Sequence, residues 1–184
     1  MTFKKKTIGI LGGGQLGKMT AIAAKKLGYQ TLLYCPKGDN PAENSVNEYI
    51  DGNWDDNKKL EIFASKVDVI TSEFENIPSK TLDNLSKITK VCPSSLCFNI
   101  AQYRNKEKEM ATKAGFLVPK WYRIKSLEDL IKYSKILNHD CILKTNSLGY
   151  DGKGQIKISS KIDLKKIWTE INFNDCILEE KVNF

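Results

Sequence analysis

The chain is poor in the residues that metal and redox chemistry most often use. Its 184 residues contain one histidine, His139, and no Cys-x-x-Cys pair. The five cysteines (Cys35, Cys92, Cys97, Cys141 and Cys176) are odd in number and widely spaced, which argues against a disulfide framework or a paired-cysteine zinc site. Cys141 and Cys176 lie inside apolar runs and read as core thiols, in keeping with a reducing, cytoplasmic setting. Arginine is almost missing: Arg104 and Arg123 stand against 27 lysines. The net charge of +7 is therefore carried by lysines scattered along the chain, the longest cluster being Lys4-Lys5-Lys6. That pattern describes a solvated face, not a nucleic-acid patch. No apolar stretch approaches the roughly 20 residues that span a membrane. The Lys-rich start is followed by only about five apolar residues, too few for a signal peptide.

What is present is an alternation of strands and helices. Thr7–Leu11, Gln30–Tyr34, Tyr49-Ile50, Val67–Thr71 and Lys90–Cys92 read as strands. Helical patterns fall between them: one carrying apolar Met19, Ile22, Ala23 and Leu27 and stopped by Gly28, one over Asp55–Lys66, and one from Pro78 to Leu85. Such alternation predicts an α/β fold with a doubly wound parallel sheet over residues 1–97. Beyond Pro93 the pattern changes. Ser94-Ser95 can cap a short helix, a longer helix is expected over Gln102–Ala114, then a strand over Trp121–Arg123 and a helix capped by Ser126 and running to about Leu137. Strands follow over Cys141–Thr145 and Ile156–Ile158, then a helix over Ile162–Ile171 and a last strand from Cys176 to Val182. Residues 98–184 are thus a second, α+β region.

Three segments carry chemistry. Gly12-x-Gly14-x-x-Gly17 follows a strand and opens a helix, the spacing of a dinucleotide-binding turn. The acidic residue that would hold a ribose is missing, because Tyr34-Cys35-Pro36 occupies its place and Asp39 comes late. A phosphate or substrate-anion site at the helix N-terminus fits better than NAD or FAD and hydride transfer. The second segment, Thr71-Ser72-Glu73-Phe74-Glu75-Asn76-Ile77-Pro78, puts two carboxylates at the C-terminal end of a strand, where open parallel sheets bind ligands. Strand alternation would point Glu73 and Glu75 the same way. Two such carboxylates can accept hydrogen bonds from an amine, although a solvated strand end is the alternative.

The third segment runs from Lys144 to Gln155 and holds Gly149, Gly152 and Gly154 between two strands. Glycines allow tight turning and close approach to a ligand, and free backbone N–H groups in such a turn form an anion-binding concavity. Lys144 and Lys153 add positive charge, so the segment reads as a loop folded over nucleotide phosphates. A plain surface hairpin is the simpler reading, but it needs fewer glycines.

Gly149-Tyr150-Asp151-Gly152-Lys153-Gly154-Gln155 resembles the phosphate-loop signature of the 5-(carboxyamino)imidazole ribonucleotide synthetases, which are ATP-grasp ligases. Members of that family usually carry glycine where this chain has Leu148, and a basic residue near Asn146 or Ser147; these departures predict a looser grip on phosphate. Gly-Gly-Gly-Gln-Leu-Gly resembles the family's opening turn, and Glu73-Phe74-Glu75-Asn76 its Glu-Phe-Glu-Asn motif. The resemblance implies that Gly14, Gln15, Leu16 and Glu73 hold 5-aminoimidazole ribonucleotide. Gln102-Tyr103-Arg104-Asn105-Lys106-Glu107 is similar to the segment whose arginine reaches a nucleotide phosphate. Glu179-Glu180-Lys181-Val182 is similar to the hinge that holds adenine.

From that resemblance, Arg104, Lys144, Gly149, Tyr150, Asp151, Gly152, Lys153, Gly154, Gln155 and the hinge Glu179–Val182 are expected at ATP. Tyr150, Asp151 and Lys153 are expected where nucleotide and substrate meet, with Asp151 and Lys153 as the catalytic candidates. The implied reaction joins bicarbonate to the amino group of 5-aminoimidazole ribonucleotide at the expense of ATP. Magnesium is implied as well, with ligands expected beyond residue 184, as is a possible homodimer of the full-length protein. The polypeptide by itself is expected to be inactive. Other ATP-grasp carboxylases, such as biotin carboxylase or the formate-dependent glycinamide ribonucleotide transformylase, and a non-catalytic nucleotide-binding module are the alternatives.

Overall fold

The computed structural model describes residues 5–149, 154–170 and 175–182. The chain divides into two compact units, residues 1–99 and 100–184. In the first, β1 (Thr7–Leu11), β2 (Gln30–Cys35), β3 (Glu48–Asp51), β4 (Val69–Ser72) and β5 (Lys90–Val91) form one sheet in the order β3-β2-β1-β4-β5. All four pairings are parallel. The helices α1 (Gln15–Lys26), α2 (Asn57–Ser65) and α3 (Ser79–Ser86) connect the strands.

Strand alternation sorts the core onto the two faces of this sheet. Leu11, Leu32 and Tyr34 pack with Leu60, Phe63, Leu82 and Leu85 of α2 and α3. Ile10, Leu33 and Cys35 pack on the other side with Ala21 of α1 and Ala42. Gly9 is needed for the close seating of α2, since a Cβ there would lie 2.7 Å from Phe63 Cζ.

Several boundaries differ from the sequence reading. α2 starts at Asn57, because Asp56 is its cap and accepts the Lys59 N–H at 3.1 Å. β4 covers Val69–Ser72, not Val67–Thr71, so Glu73 and Glu75 lie beyond the strand and strand alternation does not orient them. α1 packs through its small residues. Gly17, Ala21 and Ala24 are buried, whereas Met19, Ile22 and Leu27 are exposed. The cause is the tight junction with the preceding turn: a Cβ on Gly17 would meet Gly12 O at 2.7 Å, so only the face bearing small side chains fits against the sheet.

The short helix expected after Ser94-Ser95 is α4 (Ser95–Ala101), and the longer one expected over Gln102–Ala114 is α5, which covers Arg104–Lys113. α4 spans the division between the units. The second unit continues with β6 (Trp121–Ile124), α6 (Leu127–Ile136), β7 (Cys141–Thr145), β8 (Gln155–Ile158), α7 (Leu164–Glu170) and β9 (Cys176–Glu180). Its sheet is antiparallel in the order β6-β9-β7-β8. Ser126 caps α6 as expected, accepting the Asp129 N–H at 3.2 Å. The last strand ends at Glu180 instead of Val182. One face of this sheet (Ile124, Cys141, Leu143, Cys176 and Leu178) packs on Leu130, Leu137, Ile167 and Trp168 of α6, α7 and the loop after α6.

Candidate functional site

In the first unit the strand order reverses beside β1, between β2 on one side and β4 on the other. Open α/β sheets bind ligands outside the carboxyl ends of the strands at such a switch point. The glycine turn leaves β1 there and Glu73 leaves β4 there. Glu73 N–H still donates to Leu11 O at 3.0 Å, and Glu73 Oε1 accepts the Gly14 N–H at 2.7 Å. The carboxylate therefore sits beneath the turn and fixes it. The space is tight: a Cβ would come within 2.7 Å of Glu73 Oε1 at Gly12 and within 2.4 Å of Asn40 Oδ1 at Gly13. Gly12 also needs glycine for its backbone, at φ +104°. Gln15 and Leu16 are exposed in the first turn of α1, whose unpaired N–H groups favour an anion. Where a dinucleotide enzyme would place a ribose-binding acid, Tyr34 is fully buried and donates to Asn53 O at 2.7 Å. Cys35 beside it is buried too, and burial raises its thiol pKa.

In the second unit, Lys144 and Glu179 lie on the sheet face opposite the apolar core. β7 and β9 pair with Ile142 opposite Glu179, which makes Lys144 and Glu179 diagonal neighbours. They form an ion pair. Lys108 of α5 closes on the same carboxylate from above, Nζ to Glu179 Oε2 at 2.7 Å. Glu179 is buried, which by itself raises its pKa, but the two ammonium groups outweigh this and hold the carboxyl below the ordinary glutamate value.

Arg104 lies one turn before Lys108 on the same helix face. Its Nε donates to Thr145 O at 3.1 Å and its Nη2 to Gly149 O at 3.4 Å, so the guanidinium spans the first limb of the glycine loop. Leu148 in that limb holds φ +60°, a left-handed conformation. Gly154, at φ +71°, receives the Thr145 N–H on its carbonyl at 2.8 Å and closes the loop base. Thr145 Oγ1 is buried there without a hydrogen-bond partner. Gln155 opens β8 and is exposed. In the hinge, Glu180 and Lys181 are exposed and their N–H groups are already paired, with Lys120 O at 2.8 Å and Asp140 O at 3.2 Å. Val182 follows, exposed. Tyr150, Asp151, Gly152 and Lys153 lie outside the described residues.

These two arrangements are a glycine turn braced by a glutamate at a sheet switch point, and a lysine-rich antiparallel sheet carrying a glycine loop. Residues 5–102 match the family model described as the ribonucleotide synthetase preATP-grasp domain. The chain belongs to this family. Residues 109–184 match the ATP-grasp domain model, so this member carries part of an ATP-grasp domain behind its preATP-grasp domain. It is similar to the N5-carboxyaminoimidazole ribonucleotide synthase of Staphylococcus aureus strain MSSA476, 37% identical over all of this chain and 50% of the relative. The enzyme of the same name from Brucella melitensis is 39% identical over 97% of this chain and 50% of the relative. Among solved structures, the S. aureus N5-carboxyaminoimidazole synthetase complexed with ADP superposes with a TM-score of 0.91 at 37% identity, covering 100% of this chain and 50% of that one. The chain thus spans about half the length of these relatives.

The sequence reading gave no role to Lys108 or to Asp175. For Lys108 the signal was available, since i and i+4 place it beside Arg104. For Asp175 it was not, because its partners lie far away in sequence. Among the described residues, no group of three or more His, Cys, Asp or Glu could hold a metal ion, and no helix is long and apolar enough to cross a membrane.

Proposed function

We propose that this chain supplies the ribonucleotide-binding domain and the first part of the ATP-binding domain of a ligase that carboxylates 5-aminoimidazole ribonucleotide. The observation that carries the reading is the Glu73–Gly14 hydrogen bond at the sheet switch point, in a chain of the ribonucleotide synthetase preATP-grasp family. Glu73 keeps acceptor capacity on Oε2 for the amine of the ribonucleotide, and the first turn of α1 at Gln15 and Leu16 offers N–H groups to its phosphate. In the second unit, Lys144, Arg104 and the loop Gly149–Gln155 hold the ATP phosphates, and the hinge Glu179–Val182 reads adenine through backbone groups beyond Lys181 and the Val182 side chain. The boundary between the two domains falls at residues 97/98, a placement supported by the division of the chain near residue 99.

In the reaction, a bicarbonate oxygen attacks the γ-phosphorus of ATP, ADP leaves, and carboxyphosphate forms. The amine then takes the carboxyl carbon, directly or as released carbon dioxide, and phosphate leaves. The protein contributes positioning and charge neutralisation. Asp151 and Lys153 are assigned to this step. Magnesium accompanies ATP in the same reading, although the described residues offer no carboxylate cluster to hold it. A cytoplasmic setting and a homodimer of the longer protein belong to the same proposal.

Calorimetric titration tests it. The 184-residue chain is expected to bind ADP and 5-aminoimidazole ribonucleotide, and to release no phosphate from ATP in the presence of bicarbonate and ribonucleotide. Binding of NAD with no response to either ligand would overturn the reading; sustained phosphate release would overturn the assignment of an inactive half.

A further inference from the structure

Asn146 is the first residue after β7 and is 1% exposed. Its backbone N–H donates to Asp175 O at 3.0 Å, and its side-chain Nδ2 donates to Asp175 Oδ2 at 2.8 Å. Its carbonyl accepts the Arg104 N–H at 2.8 Å, and its Oδ1 accepts the Asn105 N–H at 3.0 Å. Tyr103 at the N-cap of α5 makes no side-chain cap bond, so the cap is delivered from Asn146, some forty residues away in sequence. Asp175 is itself held by Arg123 of β6, with Nε to Oδ1 and Nη2 to Oδ2, both at 3.0 Å. Arg104 then returns from α5 to grip Thr145 O and Gly149 O. The circuit closes on the first limb of the glycine loop.

We propose that Asn146, oriented by Asp175, is the positioning residue of the loop's first limb, Thr145–Gly149. It sets α5, Arg104 and that limb as one unit, and through them the affinity of Arg104 and the limb for nucleotide phosphates. Only that last step rests on the nucleotide reading given above. The position requires an amide because one side of the side chain must accept from Asn105 N–H while the other donates to a carboxylate. Aspartate at 146 keeps the first bond but sets two carboxylates against each other. Exchanging the pair, Asn146→Asp with Asp175→Asn, restores both bonds at position 146: the carboxylate there accepts from Asn105 N–H and from the new amide, whose oxygen still accepts from Arg123 Nε while Arg123 Nη2 loses its acceptor.

The test measures hydrogen exchange at the Thr145 and Asn146 amides and ADP affinity by calorimetry, in the wild-type chain, Asn146→Asp and the exchanged double variant. Asn146→Asp is expected to speed exchange by about tenfold or more and to weaken ADP by a similar factor, the effect of losing a buried hydrogen bond. The double variant is expected to recover a large part of both losses relative to Asn146→Asp, which general destabilisation would not allow. If Asn146→Asp does not fold, Asp175→Asn alone should raise exchange at the same two amides severalfold. Unchanged exchange in the single variants, or no recovery in the exchanged pair, overturns the proposal. Wild-type protein that binds no ADP would remove the nucleotide step while the exchange measurements still decide the positioning role.

Discussion

Glu73 reaches under the glycine turn to accept the Gly14 N–H at 2.7 Å, joining the carboxyl ends of β1 and β4 across the sheet switch point. This bond spends one carboxylate oxygen on shaping the turn and leaves the other for a ligand. Glu73→Gln retains an acceptor for Gly14 and removes the charge. The variant is expected to bind 5-aminoimidazole ribonucleotide about ten- to a hundredfold more weakly, the value of roughly 1.5–3 kcal/mol for a charge-assisted hydrogen bond. ADP affinity should stay within a few-fold. Calorimetry with both ligands checks this, and equal losses with an unchanged melting curve would remove Glu73 from the ribonucleotide site.

Glu179 gives the second unit an acid-sensitive element. Its pKa is depressed by Lys108 and Lys144 against the opposing effect of burial, so its folded value lies below the unfolded one, ordinarily 4.5. A depressed carboxylate contributes stability above the unfolded pKa and loses it as pH falls through the folded pKa. Wild-type protein should therefore lose stability more steeply below about pH 4.5 than Glu179→Gln, which has no proton to take up there. Urea unfolding at a series of pH values reads the two slopes. Parallel slopes would mean that the triad makes no net contribution.

Leu148 stands at φ +60° and is exposed. An L-residue in the left-handed region costs about 1–2 kcal/mol, and glycine escapes that cost while losing more freedom on folding, worth roughly 0.5–1 kcal/mol. Leu148→Gly is expected to be neutral or to stabilise by up to about 1 kcal/mol. Leu148→Val, with its branched Cβ, should destabilise. Chemical denaturation of the two variants distinguishes these outcomes.

Gly9 carries the contact between β1 and α2. Gly9→Ala would drive a methyl group to 2.7 Å from Phe63 Cζ and to 3.1 Å from Val67 Cγ2. Overpacking of this kind typically costs about 1–3 kcal/mol. Pairing it with Phe63→Leu should recover part of the loss, as seen in melting curves. Full tolerance of the single change would show that α2 can shift away from the sheet.

The sequence by itself settled what depends on local pattern. Strand and helix alternation up to Val91 carries the parallel doubly wound sheet, because period and connection length leave few other ways to bury those apolar runs. The glycine motifs and the Glu-Phe-Glu-Asn segment pointed to the family, since glycines at fixed spacing mark places where backbone, and nothing larger, fits. Tertiary structure decided which face of α1 packs, because the fit of Gly17 against Gly12 O outweighs the burial of Met19 and Ile22. It also decided where strand β4 stops, and so where Glu73 stands. Above all it decided the partners of Lys144, Asn146 and Arg104. Residues some thirty to forty positions apart meet only once antiparallel pairing sets β7 against β9 and α5 comes to lie against the start of the loop. No local pattern encodes such encounters, because the hydrogen bonds that fix them form between segments whose register is set by the whole sheet.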